Sequence, residues 1–229
     1  MSVLVLYYKV APEKISSAQV SELIHRWRDE LPTSKQQKIG KLHQQNDQLL
    51  SLAGLQLVKR GISELLKRPF SLRQLQFPEQ KKPFISAEQE ENFDFNISHS
   101  GNVVCCIISD SFKVGIDLEL HRQISEPTLK KFLNTHPDII KGNKAKRLTE
   151  FFNIWTKSEA IIKAANYGSI FNMKDLTLEE DGGFYQNHYW YTFPITISTD
   201  DPDKEYTCHI ACSKKMAGND ISIKQITNL

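Results

Sequence analysis

The amino-acid sequence predicts an α+β fold in which two similar halves share one cleft. The chain has 229 residues, a length between one ordinary domain and two. Segments with strand-like and helix-like patterns alternate, and the order of strand, short helix, long helix and further strands occurs twice. The second set starts just after Phe112. We therefore predict an N-terminal α+β half at residues 1–112 and a C-terminal α+β half at 113–229. They would be related by a pseudo-twofold axis, with a ligand-binding cleft between them.

Two helices of the N-terminal half are predicted from their apolar residues. Val20, Ile24 and Trp27 fall on one stripe of a helix over residues 17–30. A longer helix over residues 46–66 carries leucine, alanine and valine on more than one face and should be largely buried. The other predicted segments are a strand over residues 2–10, a polar helix capped by Ser34, an extended segment over 82–85 and a continuous apolar strand over 102–109.

The C-terminal half is predicted to begin with a strand over residues 114–120. A short helix follows over residues 126–133, and a long helix over 144–165 ends before Gly168. The remaining segments are predicted as strands over residues 175–178, 183–188, 189–198 and 205–212, with a further strand over 221–227.

Composition excludes several classes of protein. Lys and Arg number 29 against 27 Asp and Glu, for a net charge of +2, which argues against a nucleic-acid-binding protein. No apolar run is long enough to span a membrane, and the N-terminus lacks the basic lead and cleavage site of a signal peptide. We expect a cytoplasmic protein whose four cysteines are free thiols.

Charge is unevenly distributed along the chain. Residues 35–85 contain ten basic and three acidic side chains, a local charge of +7 (10 − 3). Residues 130–163 contain eight basic and three acidic side chains, a local charge of +5 (8 − 3). Such segments favour an anionic ligand or an acidic partner, although solvated helix faces would give the same pattern.

Two carboxylates alternate on the strand at residues 114–120. Asp117 and Glu119 project from the same face, about 7 Å apart along the strand. Two neighbouring carboxylates repel each other unless a cation lies between them, and Mg²⁺ prefers such oxygen ligands. The alternative is an edge strand with two solvated acids.

The long helix of the C-terminal half carries a second candidate group. Trp155, Glu159 and Lys163 follow each other at intervals of four residues and therefore share one stripe. Glu159 and Lys163 could form an ordinary surface ion pair. They could equally supply a third carboxylate for a metal and a lysine for a phosphate group.

The segment FNISHSG precedes the apolar strand at residues 102–109. Ser98, His99 and Gly101 at a turn could supply ligands for a phosphate group. A serine hydrolase is disfavoured, because adjacent Ser and His rarely form a nucleophile–base pair and no nucleophile elbow surrounds them.

Together, FNISHSG, VGIDLE and WTKSEAIIK, in this order and spacing, resemble the 4′-phosphopantetheinyl transferases of the surfactin-synthetase-activating (Sfp) type. The resemblance covers most of the chain. It implies a Mg²⁺-dependent enzyme, with Mn²⁺ as a possible substitute. Such an enzyme moves 4′-phosphopantetheine from coenzyme A to a serine of an acyl- or peptidyl-carrier protein and releases adenosine 3′,5′-bisphosphate.

The same resemblance implies roles for individual residues. Asp117, Glu119 and Glu159 match the metal carboxylates, and the implied proton acceptor is either Glu159 or water on the metal. Lys163 matches a lysine that contacts the coenzyme phosphates, so the implied catalytic set is Glu159, Asp117 and Lys163. The remaining implied contacts with coenzyme A are Lys35, Lys38, Ser51, Lys82, Ser98 and His99.

The sequence departs from this family next to the helix glutamate. Ser158 stands where the family has a lysine, and Lys157 is rotated by about 100° around the helix. Two alternatives therefore stay open, namely a non-catalytic relative that binds coenzyme A or carrier domains, and a metal-dependent phosphohydrolase. The expected partners are coenzyme A and a carrier protein, without nucleic acid or membrane, and the expected state is a monomer.

Overall fold

The computed structural model describes residues 2–11, 16–79, 81–86, 93–133, 144–165, 175–217 and 220–229. Its helices and strands form an α+β fold, as predicted from the sequence. Gly168, the expected end signal of the long C-terminal helix, lies outside the described residues. No helix in the described part of the chain combines the length and apolar composition that a membrane span requires.

The first sheet contains four strands in the order β11-β1-β5-β4. Strand β5 is antiparallel to both of its neighbours, whereas β11 runs parallel to β1. Three helices and a two-stranded ribbon accompany this sheet. The bounds of these elements are β1 Val3–Lys9, α1 Ser17–Asp29, α2 Thr33–Gly40, α3 Gln45–Leu66, β2 Leu75–Gln76, β3 Phe84–Ile85, β4 Asp94–Ser100, β5 Val103–Ser109 and β11 Ile221–Ile226.

The second sheet contains five strands in the order β6-β10-β9-β8-β7, and its described pairings are antiparallel. The bounds of the elements in this half are β6 Val114–Leu120, α4 Glu126–Leu133, α5 Lys144–Ala164, β7 Thr177–Glu179, β8 Gly182–Tyr185, β9 His188–Pro194 and β10 Tyr206–Cys212. The division at residue 112 separates the described strands of the two sheets apart from β11, which returns to the first sheet. As a domain boundary, this division stays a prediction.

The described structure has four layers, in the order helices, sheet, sheet and helix. Alternate residues of β1, β5, β6 and β10 fill the core between the two sheets, among them Val5, Ile107, Ile116 and Ile210. The opposite face of the first sheet packs against α1 and α3. The opposite face of the second sheet packs against α5. All four cysteines are free and buried.

The ends of several helices and strands follow from the local sequence, and the structure corrects two of the predictions. Helix α1 begins with a capping box, in which Ser16 Oγ accepts a bond from the Gln19 amide and the Gln19 side chain accepts one from the Ser16 amide. Ser34 does not cap α2, because the helix begins one residue earlier at Thr33 and Pro32 occupies the cap. The segment around Ser98 is not a turn but the strand β4, and the turn follows it at Gly101, where φ is +56°.

Candidate active site

Strands β4 and β6 are edge strands of different sheets, and they lie side by side. Side chains of β4, rather than its backbone, bind the amide groups of β6. Every second residue takes part, with a constant offset of twenty positions, so the two strands run in the same direction. The four bonds are Asp94 Oδ2 to Val114 N (2.7 Å), Asn96 Oδ1 to Ile116 N (2.9 Å), Ser98 Oγ to Leu118 N (3.2 Å) and Ser100 Oγ to Leu120 N (3.0 Å). We call this arrangement the seam.

Helix α5 lies unusually close to β6. A Cβ atom added to Gly115 would lie 2.1 Å from the Ala160 carbonyl oxygen and 2.5 Å from the Ala164 amide nitrogen. Only a residue without a side chain permits this approach of helix backbone to strand backbone. The approach brings Glu159 and Lys163 of α5 to the carboxylate-bearing face of β6.

The seam and α5 together border an open cavity of about 300 Å³. Residues from β4, β6 and α5 line it, namely Ile97, Ser98, His99, Asp117, Leu118, Glu119, Trp155, Glu159 and Lys163. Three segments that are far apart in the sequence therefore place their polar residues in one site.

Asp117 is held from two sides. Lys163 Nζ lies 2.6 Å from Asp117 Oδ1, and Ser98 Oγ donates a hydrogen bond to the same oxygen at 2.9 Å. Burial raises the pKa of Asp117, although Lys163 opposes this effect. Burial acts to lower the pKa of Lys163, but Asp117 outweighs it and the pKa of Lys163 is raised. The other oxygen of Asp117, Oδ2, is buried and has no hydrogen-bond partner.

Glu119 and Glu159 complete a group of three carboxylates. Glu119 Oε2 accepts hydrogen bonds from Ser100 Oγ at 2.9 Å and from Arg122 Nη1 at 2.7 Å. Burial raises the pKa of Glu159 to about 7; Lys163 opposes this shift, while Asp117 and Glu119 reinforce it. Glu159 Oε1 is buried and has no hydrogen-bond partner. The site therefore presents two carboxylate oxygens that are buried without a protein donor.

Asp117, Glu119 and Glu159 are chemically suited to bind a hard divalent cation, because each has carboxylate oxygens. Two of these oxygens, Asp117 Oδ2 and Glu159 Oε1, have no hydrogen-bond donor. Within the described residues, however, no three side chains of His, Cys, Asp or Glu already surround one metal position. Lys163 holds Asp117, and Arg122 holds Glu119. The carboxylates are thus grouped but balanced by protein cations.

A family model and a set of similar proteins both point to the 4′-phosphopantetheinyl transferases. A family model described as "4′-phosphopantetheinyl transferase, N-terminal" matches residues 19–111. The chain is 26% identical over 183 residues to the 4′-phosphopantetheinyl transferase psf-1 of Bacillus pumilus, covering 78% of this chain and 77% of that protein. It is 27% identical over 198 residues to gsp of Aneurinibacillus migulanus (84% and 80%) and over 180 residues to Sfp of Bacillus subtilis (77% and 73%), both also named 4′-phosphopantetheinyl transferases.

The chain is thus similar over most of its length to 4′-phosphopantetheinyl transferases of the Sfp type. This similarity does not by itself locate the site residues that the sequence predicts. Six of those ten, namely Ser98, His99, Asp117, Glu119, Glu159 and Lys163, line the 300 Å³ cavity. Lys35, Lys38, Ser51 and Lys82 do not.

Lys82 lies at the start of the seam. Its Nζ atom is 2.7 Å from Asp94 Oδ2 and donates a hydrogen bond to the Val114 carbonyl oxygen at 2.6 Å. Burial lowers the pKa of Lys82 even though Asp94 opposes this effect. Lys82 borders a second cavity of about 560 Å³, together with Phe84 and Lys113.

The other proposed coenzyme contacts lie on α2 and α3. Lys35 Nζ is 5.0 Å from the centre of the Phe77 ring, and burial together with Lys38 lowers the pKa of Lys35. Ser51 is half-buried on α3. His99 lies on the cavity side of β4, where burial and Lys163 lower its pKa, so its ring is neutral at pH 7.

The structure also shows a buried pair that sequence reasoning missed. His209 on β10 lies opposite Asp117 of β6, and its Nδ1 atom is 2.8 Å from Thr156 Oγ1. Because Thr156 donates its hydrogen to the Phe152 carbonyl oxygen at 2.7 Å, His209 Nδ1 must donate to Thr156. A single histidine in an apolar strand gives no sequence signal of such a pair.

Lys157 faces away from the cavity. Its ammonium group donates hydrogen bonds to the carbonyl oxygens of Glu179 and Glu180 at the turn between β7 and β8. Ser158 is buried. Arg122 is a further residue that the sequence did not single out. Asn96 and Ser100 belong to the FNISHSG segment, but their bonds to the β6 amides were not predicted. The alternation of polar residues along β4 was the signal available for the latter two.

Proposed function

We propose that this enzyme transfers the 4′-phosphopantetheine group of coenzyme A to a serine hydroxyl of an apo acyl- or peptidyl-carrier protein. The new bond joins the serine oxygen to the β-phosphorus. The bond between that phosphorus and the bridging oxygen breaks, and adenosine 3′,5′-bisphosphate leaves. The observation that supports this proposal best is the cavity in which Asp117, Glu119, Glu159 and Lys163 meet.

The carboxylates are proposed to hold Mg²⁺ or, as an alternative, Mn²⁺. Asp117 Oδ2 and Glu159 Oε1 would be the first ligands, since both are buried without a donor. A divalent cation bound there supplies positive charge to the pyrophosphate during the displacement.

Lys163 is proposed to bind a phosphate group of coenzyme A. Its raised pKa keeps its ammonium group charged at neutral pH. Preorganised positive charge is the main requirement of phosphoryl transfer, because the reaction is largely one of positioning and charge neutralisation.

Glu159 is proposed to accept the proton of the carrier serine, directly or through a water molecule. Burial raises the pKa of Glu159 to about 7 before any cation binds, and a bound cation would lower it, so the carboxylate would be ionised and able to accept the proton. His99 and Ser98 are proposed to border the pyrophosphate or the 3′-phosphate. Lys35, Lys38 and Ser51 are proposed as further contacts of coenzyme A.

Lys82 is also proposed as a coenzyme contact, but it would first have to release Asp94.

We further propose that the enzyme works in the cytoplasm. We propose that it works as a monomer, because the site is formed within one chain.

The decisive experiment mixes the protein with coenzyme A, Mg²⁺ and a panel of apo carrier proteins, and measures the intact mass of each carrier. We expect a carrier to gain the mass of one 4′-phosphopantetheine group. Glu159→Gln and Asp117→Asn should abolish the gain while circular dichroism shows an intact fold. Lys224→Ala, which removes an exposed ion pair on the outer strand β11, is the control and should retain transfer.

The same assay separates the alternatives. Coenzyme A that binds without turnover with every carrier would favour a non-catalytic relative, the reading that the buried Ser158 supports. Coenzyme A that is consumed without any acceptor would indicate a phosphohydrolase. Full transfer by Glu159→Gln would refute the assignment of the site.

A further inference from the structure

Two protein cations balance the carboxylates of the cavity, and they differ in their surroundings. Lys163 pairs with Asp117 inside the site, where 25% and 7% of the two side chains are exposed. Arg122 pairs with Glu119 at the outer edge, where the values are 58% and 18%. The inner pair is therefore fixed by burial, whereas the outer pair can open into solvent at little cost.

Arg122 is supported by a neighbouring ring as well as by its ion pair. It lies two residues beyond the end of β6, and its guanidinium carbon is 5.9 Å from the centre of the Phe152 ring. Phe152 is itself fully buried and stacked against His121 at 4.5 Å. A guanidinium beside a rigid ring stays close to the cavity when it leaves its carboxylate.

Glu119 Oε2 is the atom for which two cations would compete. It accepts hydrogen bonds from Ser100 and Arg122 together. The charge of Glu119 is already neutralised by Arg122 when a divalent cation arrives. The guanidinium must therefore leave Glu119, or it will lower the affinity of the site for the divalent cation.

We propose that Arg122 is an exchangeable counter-ion of the active site: it occupies Glu119 until a divalent cation replaces it, and it then binds a phosphate group of coenzyme A. This inference rests on the proposed function. A guanidinium presents paired N–H donors that match the oxygens of a phosphate group. The movement would supply a cation to the coenzyme only when the site already holds its metal.

The first test measures Mn²⁺ binding by electron paramagnetic resonance in the absence of coenzyme A. Arg122→Ala should bind Mn²⁺ about two- to fivefold more tightly than the wild type, because an exposed ion pair of this kind no longer competes. Arg122→Lys should lie between the two. Lys224→Ala removes another exposed cation, 46% exposed against 58% for Arg122, far from the cavity, and should match the wild type. Equal or weaker Mn²⁺ binding by Arg122→Ala would overturn the proposal.

The second test measures the dissociation constant of coenzyme A by titration calorimetry, with and without Mn²⁺. With Mn²⁺ present, Arg122→Ala should bind coenzyme A about tenfold more weakly than the wild type, as expected when a charged hydrogen bond is lost. Without Mn²⁺ the two proteins should differ by less than about twofold, because Arg122 is then engaged by Glu119. An equal loss under both conditions would identify a fixed anion contact and overturn the exchange.

These measurements also separate this inference from the proposed function. A wild-type protein that binds neither Mn²⁺ nor coenzyme A would refute both. A wild-type protein that binds both and modifies a carrier, with an Arg122→Ala variant unchanged in every constant, would refute the exchange alone.

Discussion

The two sheets each carry one long helix on the outer face, but the helices approach their sheets in opposite ways. In the first half the glycines lie on the helix. A Cβ atom at Gly54 of α3 would meet the Ile97 side chain at 2.6 Å, and one at Gly61 would meet the Ile108 side chain at 2.2 Å. In the second half the glycine lies on the strand, and Gly115 of β6 faces the backbone of α5.

This difference explains where the polar residues gather. Helix α3 rests on the tips of strand side chains, and its contact with the first sheet is an apolar core. Helix α5 packs directly against the backbone of β6 at Gly115. Because the two backbones are so close, the α5 side chains next to this contact lie alongside the side chains of β6. Glu159 and Lys163 thereby come within reach of Asp117. The absence of a side chain at Gly115 of β6 thus allows the polar residues of α5 and β6 to form one site.

Gly115→Ala should have the largest effect of the predicted changes. The new methyl group would lie against backbone atoms of α5 that cannot rotate away. We expect a loss of about 3 kcal/mol in the free energy of unfolding. Displacement of Glu159 and Lys163 should also lower the rate of transfer more than about 100-fold. Urea unfolding and the carrier mass assay measure the two effects.

Gly54→Ala is the matched change in the first half. The added methyl group would lie 2.6 Å from Ile97 Cγ2 and 3.3 Å from Val104 Cγ2, which are side-chain methyl groups that a rotamer change can move, rather than backbone atoms. Alanine also favours a helix over glycine by about 1 kcal/mol. The net change in the free energy of unfolding should stay below about 1 kcal/mol, with transfer retained. Equal losses for Gly54→Ala and Gly115→Ala would contradict the comparison.

Lys82→Met tests the seam that joins the two halves. It would leave Asp94 buried beside the Val114 amide without its cation. We expect a loss of about 3 kcal/mol in the free energy of unfolding, since breaking a buried ion pair strands the remaining charge. Adding Asp94→Asn should recover part of the loss, because the amide oxygen can still accept from Val114. A double variant as unstable as the single one would argue against an ion pair as the cause.

His209 should make the stability of the second half depend on pH. Burial, with a contribution from Lys157, lowers the pKa of His209 to about 4, whereas an unfolded histidine has a pKa of about 6.5. Below pH 6.5 the unfolded chain takes up a proton that the folded chain does not. The free energy of unfolding should therefore fall by about 1 kcal/mol by pH 5.5 and keep falling towards pH 4. His209→Gln should remove this part of the slope in urea unfolding at several pH values.

Much of the fold could be predicted from the sequence, because helices and apolar strands show their periodicity locally. Strand β4 is harder to predict, because its polar residues at 94, 96, 98 and 100 alternate as in a strand but lead directly into the turn at Gly101. They are strand residues whose polar groups bind the amides of β6, a partner that lies twenty positions away. The sheet to which β11 belongs could not be predicted, because pairing with β1 depends on contacts across the whole chain.

The candidate site shows a similar limit. Sequence motifs selected Asp117, Glu119, Glu159 and Lys163, and the structure places all four around one cavity. The motifs could not reveal which carboxylate each cation neutralises. The KKPFI segment predicts that Lys82 contacts the coenzyme. In the structure, Asp94 and the Val114 carbonyl oxygen bind its ammonium group within the seam. Pairings of this kind are decided by tertiary contacts, and no local pattern encodes them.

A small effect is also expected from the last bond of the seam. Ser100 Oγ accepts a hydrogen bond from the Leu120 amide at 3.0 Å and donates one to Glu119 Oε2 at 2.9 Å. Ser63 in the first half makes the same two kinds of bond, to the Phe70 amide and the Lys59 carbonyl oxygen. Ser100→Ala and Ser63→Ala should each lower the free energy of unfolding by about 1 kcal/mol. Only Ser100→Ala should also alter the affinity for Mn²⁺, because it releases Glu119. A Mn²⁺ affinity that is unchanged in Ser100→Ala, or changed equally in both variants, would show that the seam holds the sheets together without tuning the site.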